Sequence, residues 1–423
     1  MNTHRPRARA TRFVVATMAM TIAGGALTAC DTLLEADAPS RILESTLLQP
    51  SNASVLVAGA IADVECALGN YVAAAGTISD EFMDAQANAA IWDLDRRTSN
   101  PATTLYATGG CGGLGGIYTP VSVARFQTDQ ALKLLNGWTD AQVPGRNALI
   151  ARAAAYAGYA YVLLGEGFCS AAVDLGPEMT PAQVFAAAEA RFTTAISTAG
   201  VPDSIRNMAY VGRARARLNQ NKRTEAAADA ALVPDNFTFS ARTTAASGRA
   251  ENRVFRVNNT TGQITVDTSF RGLTVNGTPD PRVPVVDAGR GGSLPTVRLW
   301  AQNKYGSLAA SIPMATWREA LLIRAEVAGG QQAVTLINQL RARHSLPQFQ
   351  SNDNAAILAQ VQEERRRELF LEGHRLFDTI RFNVPLRPPA GAAFPNGGGT
   401  YGSNKCLPLP DIERLNNPTI SGG

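Results

Sequence analysis

The sequence predicts an all-α protein, a scaffold of helical hairpins that carries a loop-rich insert with short strands. Three observations lead there. Apolar residues recur at i, i+3, i+4 and i+7 along several long stretches. Start and stop signals bracket them, with Thr119-Pro120 and Thr180-Pro181 opening helices and Gly137 and Gly200 closing them. Between the helical halves, residues 236–300 change to Thr, Asn, Gly and Pro, as do residues 386–423, which read as a wrapped tail.

Residues 1–29 open with Arg5, Arg7, Arg9 and Arg12, followed by fifteen uncharged, mostly apolar residues from Phe13 to Leu27. That run is shorter than the roughly 20 residues of a permanent membrane span, and with its basic flank it reads as a secretory signal. Its end, Leu27-Thr28-Ala29-Cys30, resembles the processing box of bacterial lipoproteins. The resemblance implies cleavage before Cys30 and a lipid on its thiol, anchoring the chain to a membrane that it does not cross. Residues 30–50 are polar, with Asp31, Glu35 and Asp37 and with breaks at Pro39 and Pro50, and read as a tether. Residues 51–423 form the body.

Within the body, Val57, Ile61, Val64, Leu68 and Val72 make one stripe, and Val121, Ala124, Leu132 and Leu135 a second. Residues 147–165 are Ala-rich, with Tyr156, Tyr159, Leu163 and Leu164; Val184, Phe185, Ala188, Phe192, Ala195 and Ile196 form the next face. From Ala209, small residues, a polar turn at Asn219 to Lys222, a second alanine-rich helix and Pro234 resemble a tetratricopeptide unit of about 34 residues. Residues 315–346 repeat the plan loosely around Gly329-Gly330. In the insert, 253–257, 263–266 and 272–275 have β character, and Asn276-Gly277 signals a turn.

Charge narrows the function. The formal net charge is +4, but removing the four arginines of residues 1–29 leaves 35 basic against 35 acidic residues. A nucleic-acid binder shows a basic excess, so that class is set aside. Only His344 and His374 lie in the body, which disfavours a multi-histidine metal site. Cys66, Cys111, Cys169 and Cys406 are even in number in an exported chain and no two are spaced Cys-x-x-Cys, so two disulfides are expected rather than a zinc site, with the pairing open.

The most specific stretch is 363–382. Read as one helix, it pairs Glu363 with Arg367, Glu372 with Arg375, and Asp378 with Arg381, with Leu369, Phe370, Leu376 and Phe377 as core. A structural ion-pair network is expected from it, not a catalytic site. An isolated exposed pair of this kind contributes about 0.3–0.5 kcal/mol. Glu364, Arg365, Arg367, Glu368, Leu369, Glu372, Gly373, Arg375, Asp378 and Arg381 resemble the C-terminal signature of the SusD/RagB family of outer-membrane nutrient-binding lipoproteins. Lys304-Tyr305, the helix with Arg318, Glu319, Leu322, Ile323, Arg324, Ala325 and Glu326, the stretch from Ala333 to Arg343, and the tail from Leu407 through Asn417-Pro418 follow in that family's order. The resemblance implies a tetratricopeptide-like superhelix at the outer membrane, facing the exterior. It also implies a non-catalytic protein, without cofactor or metal, that captures an oligosaccharide or peptide and delivers it to a TonB-dependent, SusC-like transporter. A cell-surface hydrolase and a protein-binding adaptor are the alternatives.

Other motifs carry less. Gly110-Cys-Gly-Gly-Leu-Gly115 matches a dinucleotide fingerprint but follows no strand, so it reads as a loop. Asp80, Glu81, Asp84, Asp93 and Asp95 match no calcium loop and read as a solvated acidic face. No nucleophile elbow is present, and no spacing picks out a glycosidase carboxylate pair. Aromatics on loops are the best ligand signal, because sugar C–H faces stack on them. Trp92, Tyr106 and Tyr118 in the loop-rich 82–118 segment, and Trp300 at the end of the insert, are the candidates. Trp138, Trp317, Tyr156, Tyr159 and Tyr161 fall on helices and read as packing.

Overall fold

The computed structural model describes residues 44–89, 92–102, 104–112 and 116–421. Cys30, the signal and most of the tether lie outside them, as does the end of the Gly110–Gly115 motif. Residues 1–49 and 50–423 are separate units. The described part of the first holds one helical turn, Glu44–Leu47.

The second unit is built of helical hairpins. Helices α1 (Ala53–Ile78), α2 (Tyr118–Gly137), α3 (Arg146–Gly167), α4 (Pro181–Ser197), α5 (Asp203–Asn219) and α6 (Arg223–Ala231) pack in sequence, each against the next. After the insert come α7 (Trp317–Ala328), α8 (Gly330–Arg343), α9 (Asn354–Glu368) and α10 (Arg375–Arg381). Both tetratricopeptide-like pairs are therefore present, α5 with α6 and α7 with α8.

The centre is α3, which touches α1, α2, α4 and α5. Its alanines at 151, 153, 154, 155, 157 and 160 are buried, because only small side chains let four neighbours approach one helix. Phe192 of α4 fills the gap that two glycines leave. A Cβ on Gly158 of α3 would lie 2.6 Å from its ring, and one on Gly212 of α5 closer still. Burying a phenylalanine this fully stabilises by about 1.5–3 kcal/mol. The apolar stretches 50–78 and 146–167 are long enough to cross a membrane, but 61% and 83% of their apolar windows lie inside the fold, which makes them core helices.

Helix ends follow their local signals at some positions and depart from them at others. Thr180 forms a full capping box with Gln183, with Pro181 in the first turn. Thr119 caps nothing: α2 starts one residue earlier, and the Thr119 hydroxyl donates to the Ala107 carbonyl. Asn276 and Gly277 both take positive φ, 49° and 83°, and join β4 (Thr274–Val275) to β5 (Thr278–Pro279) as an Asn-Gly hairpin does. Residues 253–260 are helical rather than extended, capped by the Asn252 side chain, which accepts from Phe255 N at 2.9 Å.

The insert and the loops before α2 form two-stranded antiparallel sheets. β1 (Phe82–Asp84) pairs with β3 (Ile264–Val266), placing Phe82 opposite Val266. β2 (Thr238–Ala241) pairs with β8 (Ile312–Thr316) through a bulge after Phe239. β6 (Val285–Gly291) pairs with β7 (Arg298–Gln302), placing Asp287 opposite Trp300. Disulfides join Cys66 to Cys111 and Cys169 to Cys406. The first pins the glycine-rich loop to α1. The second ties the tail, with its short helix Asp411–Asn416, to the end of α3.

Candidate functional site

Chemistry-bearing residues concentrate where the 363–382 stretch meets the insert. That stretch is two helices, not one. α9 ends at Glu368, the chain turns through Leu371 (φ 56°) and Gly373 (φ 81°), and α10 starts at Arg375. The break redirects the pairing. Glu363 meets Arg367 at 2.6 Å and Asp378 meets Arg381 at 2.8 Å, but Glu372 and Arg375 do not meet. Glu372 accepts from Lys304 at 2.7 Å, and Arg375 grips both oxygens of Asp80 at 2.6 and 2.7 Å.

The network is also buried, which sequence spacing could not reveal. Glu364, 0% exposed, accepts from Arg282, from Arg341 at 2.7 Å and from Gln360 at 2.8 Å. Arg282 in turn grips Asp280 at 2.7 and 2.8 Å. Glu368 lies 3.1 Å from Arg318 and 3.0 Å from His344. Burial works to raise the Asp378 carboxyl, but Arg365 and Arg381 outweigh it and hold it down to about 2. Glu319, buried on α7, is pushed up by burial to about 8, with Arg215 and Arg365 opposing. Burial, then the charges of Arg215 and Arg365, hold His374 well below the ordinary histidine value, so it is neutral.

The acidic set at 80–95 is not the solvated face expected. Asp80, Glu81, Asp84 and Asp95 are all buried. Burial raises Asp84 to about 6 and both Glu81 and Asp95 to about 7. Among the described residues no group of three His, Cys, Asp or Glu side chains is placed to hold a metal ion.

The four candidate aromatics divide in two. Tyr106 is 2% exposed, and its hydroxyl donates to the Pro408 carbonyl at 3.0 Å. Tyr118 is 3% exposed at the start of α2, with its ring edge-on to Phe168 at 5.2 Å. Both are packing residues, because the Cys66–Cys111 bond and the returning tail cover a segment whose composition is that of an open loop. Trp92 and Trp300 are half-buried. Trp92 Nε1 donates to the Gln86 carbonyl at 2.9 Å, its ring lies 5.7 Å from Phe394, and Gly397 of the tail rests against it. Phe394 meets Tyr401 edge-on at 5.3 Å; Arg96 lies over Phe394 and Arg97 over Tyr401. Trp300 on β7 carries Arg271 over its ring at 4.9 Å, and the Val266 carbonyl orients that guanidinium at 2.6 and 2.9 Å. Sequence reading missed Phe394, Tyr401, Arg96 and Arg271. Two aromatics in a tail of glycine and proline were the available signal.

Fold and site define a class: a helical, disulfide-stapled scaffold of tetratricopeptide-like pairs that offers half-buried aromatics and arginines on its loops. Residues 304–406 match the sequence model of the SusD family. The match spans Lys304, the α7–α8 pair and the 363–382 network. Solved structures share the fold over nearly their whole length. A SusD superfamily protein from Bacteroides vulgatus is 13% identical, with a TM-score of 0.66, over 88% of this chain and 97% of that one. A laminarin-binding SusD-like protein is 17% identical, with a TM-score of 0.64, over 87% and 98%. Surface glycan-binding protein A from Bacteroides uniformis is 17% identical, with a TM-score of 0.63, over 86% and 98%. No curated protein sequence matches this one. Residues 304–406 thus resemble the SusD family in sequence, and the chain shares the fold of these SusD-like structures.

Proposed function

We propose that this chain is a non-catalytic, surface-exposed lipoprotein of the outer membrane that binds an oligosaccharide and delivers it to a TonB-dependent, SusC-like transporter, which it covers as a lid. The observation that carries the reading is the SusD family match over 304–406, on a frame shared with laminarin-binding and surface glycan-binding proteins. Trp92 and Trp300 support it, since a half-buried indole can stack on a sugar ring while its neighbours take the hydroxyls. The carboxylates of the network argue against hydrolysis. Glu364, Glu372 and Asp378 are each bonded to a guanidinium or ammonium group, whereas a glycosidase needs two carboxyl groups facing the substrate. A lipid on Cys30 and the following tether would hold the body at the membrane, raising its effective concentration at the transporter so that modest contact affinity suffices.

The test is affinity purification of the tagged protein from gently solubilised outer membranes. A TonB-dependent transporter should co-purify, and its absence where other lipoprotein complexes survive would overturn the lid. Replacement of Trp92 and of Trp300 by Ala should each weaken oligosaccharide binding by about 0.5–1.5 kcal/mol. Unchanged affinity in both would remove these two residues from the site.

A further inference from the structure

Beside the ion network, where α9, α10 and the tail meet, lies a cleft of about 390 Å³. Its polar wall is Arg366, Arg375, Arg387, Asp80, Glu363 and Gln362. Arg375 commits Nε and Nη2 to Asp80, which leaves Nη1 for a ligand. Arg366 is shared between Glu363, at 3.1 Å, and the Ser269 carbonyl, with its guanidinium 4.0 Å over the Phe270 ring. Glu363 is claimed again by Arg367. Arg387 differs from these. Its backbone is fixed, because its carbonyl accepts from Arg97 at 3.2 Å, but its side chain is exposed and pairs with no carboxylate among the described residues.

Three guanidiniums thus face two carboxylates, and one positive charge is in surplus. Burial, and then the neighbouring Arg375 charge acting against the relief Glu363 gives, holds Arg366 below the ordinary arginine value. A guanidinium answers a carboxylate with paired, charge-assisted hydrogen bonds. The rest of the wall suits hydroxyls: Glu363 accepts, and Gln362 both accepts and donates. Among the described residues no aromatic side chain lines the cleft, and its volume is at the small end for a ligand site, which runs from about 300 to 1,000 Å³.

We propose that this cleft recognises one hexuronate unit of an oligosaccharide, its carboxylate on Arg387 and Arg375 Nη1 and its hydroxyls on Glu363 and Gln362. A single surplus charge matches a single carboxylate, not a polyanion. A peptide carboxylate would satisfy the arginines but leave the hydroxyl-binding groups unmet. The tail links the cleft to the aromatic face: Val384, Pro385 and Arg387 line the first, and Phe394 meets Trp92 at the second. The proposal rests on the glycan-binding reading above and names a substrate class for it.

Calorimetric titration of the full mature chain with digalacturonate, its neutral methyl ester, a neutral glucan oligosaccharide and a short acidic peptide tests this. The acid should bind roughly tenfold more tightly than its ester. Arg387→Gln should abolish that preference while leaving the melting temperature unchanged, since the Arg387 side chain pairs with no carboxylate among the described residues and its carbonyl bond to Arg97 survives the substitution; Arg387→Lys should restore part of it. Equal binding of acid and ester, or full acid binding by Arg387→Gln, overturns the proposal. Peptide binding equal to that of the uronate and equally dependent on Arg387 overturns its sugar specificity. If the neutral glucan binds and the uronate does not, the cleft fails and the glycan receptor stands. If no sugar binds, both fail.

Discussion

Replacing Glu364 by Gln tests whether the arginine–carboxylate network holds the fold together. The side chain is fully buried and neutralises two arginines at once. They would not suffer equally. Arg282 keeps its two-bond grip on Asp280, whereas Arg341 loses its carboxylate partner and retains the Pro347 carbonyl at 3.1 Å and the Phe349 ring. Breaking a buried pair by removing one partner costs about 3–5 kcal/mol, because the other charge stays in a poorly solvated place. Against a total stability of roughly 5–15 kcal/mol, that is a large fraction. Glu363→Gln is the internal control. It lies one residue away with a side chain 33% exposed, so its loss should cost about 0–1 kcal/mol. Urea unfolding of the mature chain, followed by far-UV circular dichroism, reads both. Near-equal midpoints for Glu364→Gln and Glu363→Gln would refute the argument that burial, rather than pair count, sets the strength of this network.

Five further outcomes are expected. Because the folded pKa of Glu319 is about 8 and an unfolded glutamate titrates near 4.3, the folded protein holds a proton that the unfolded chain releases; stability should fall as pH rises from about 5 to 8, and Glu319→Gln should flatten that fall in denaturant midpoints at pH 5, 6.5 and 8. Asp378 acts with the opposite sign: its depressed pKa contributes stability above about 4 that is lost as pH falls toward 2, and Asp378→Asn should remove that acid-side loss. Gly158→Ala should cost about 1–3 kcal/mol by forcing a Cβ into the Phe192 ring, and Phe192→Leu should recover part of it, so additive losses in the double variant would count against this packing. Non-reducing peptide mapping should recover Cys66 with Cys111 and Cys169 with Cys406, and Cys30→Ala should release the protein from membranes without detergent; free thiols or persistent membrane partitioning would contradict these in turn.

The helical frame was legible because its signals are local. The stripe from Val57 to Val72, the Thr180 capping box and the Asn276-Gly277 hairpin each depend on neighbours within a turn or two. What failed depended on distant chain. Glu372–Arg375 is a sound helical spacing, but the chain leaves the helix after Glu368 and re-enters one only at Arg375, and their partners, Lys304 and Asp80, lie 68 and 295 residues away. Tyr106 and Tyr118 sit in a segment with loop composition, yet Tyr106 is covered by the tail that returns from the far end of the sequence and Tyr118 packs on Phe168 beyond α3. β1 was missed because its partner, β3, lies in the insert, and three residues carry too little periodicity to announce a strand. The aromatic candidates that stay half-buried, Trp92 and Trp300, are the two whose environments no periodic pattern dictates.

The returning tail has a mechanical consequence. A stack of helical hairpins is in principle a one-dimensional object, in which each repeat leans on its neighbours and either end can fray alone. Here the ends are joined. The Cys169–Cys406 bond, the Arg97 grip on the Arg387 and Pro388 carbonyls, and the Asp80–Arg375 pair fasten late residues to early helices. α10 also packs directly against α1. Early and late helices are thereby held to one another. Melting one terminal hairpin therefore loads the opposite one, so the body should yield in one cooperative step.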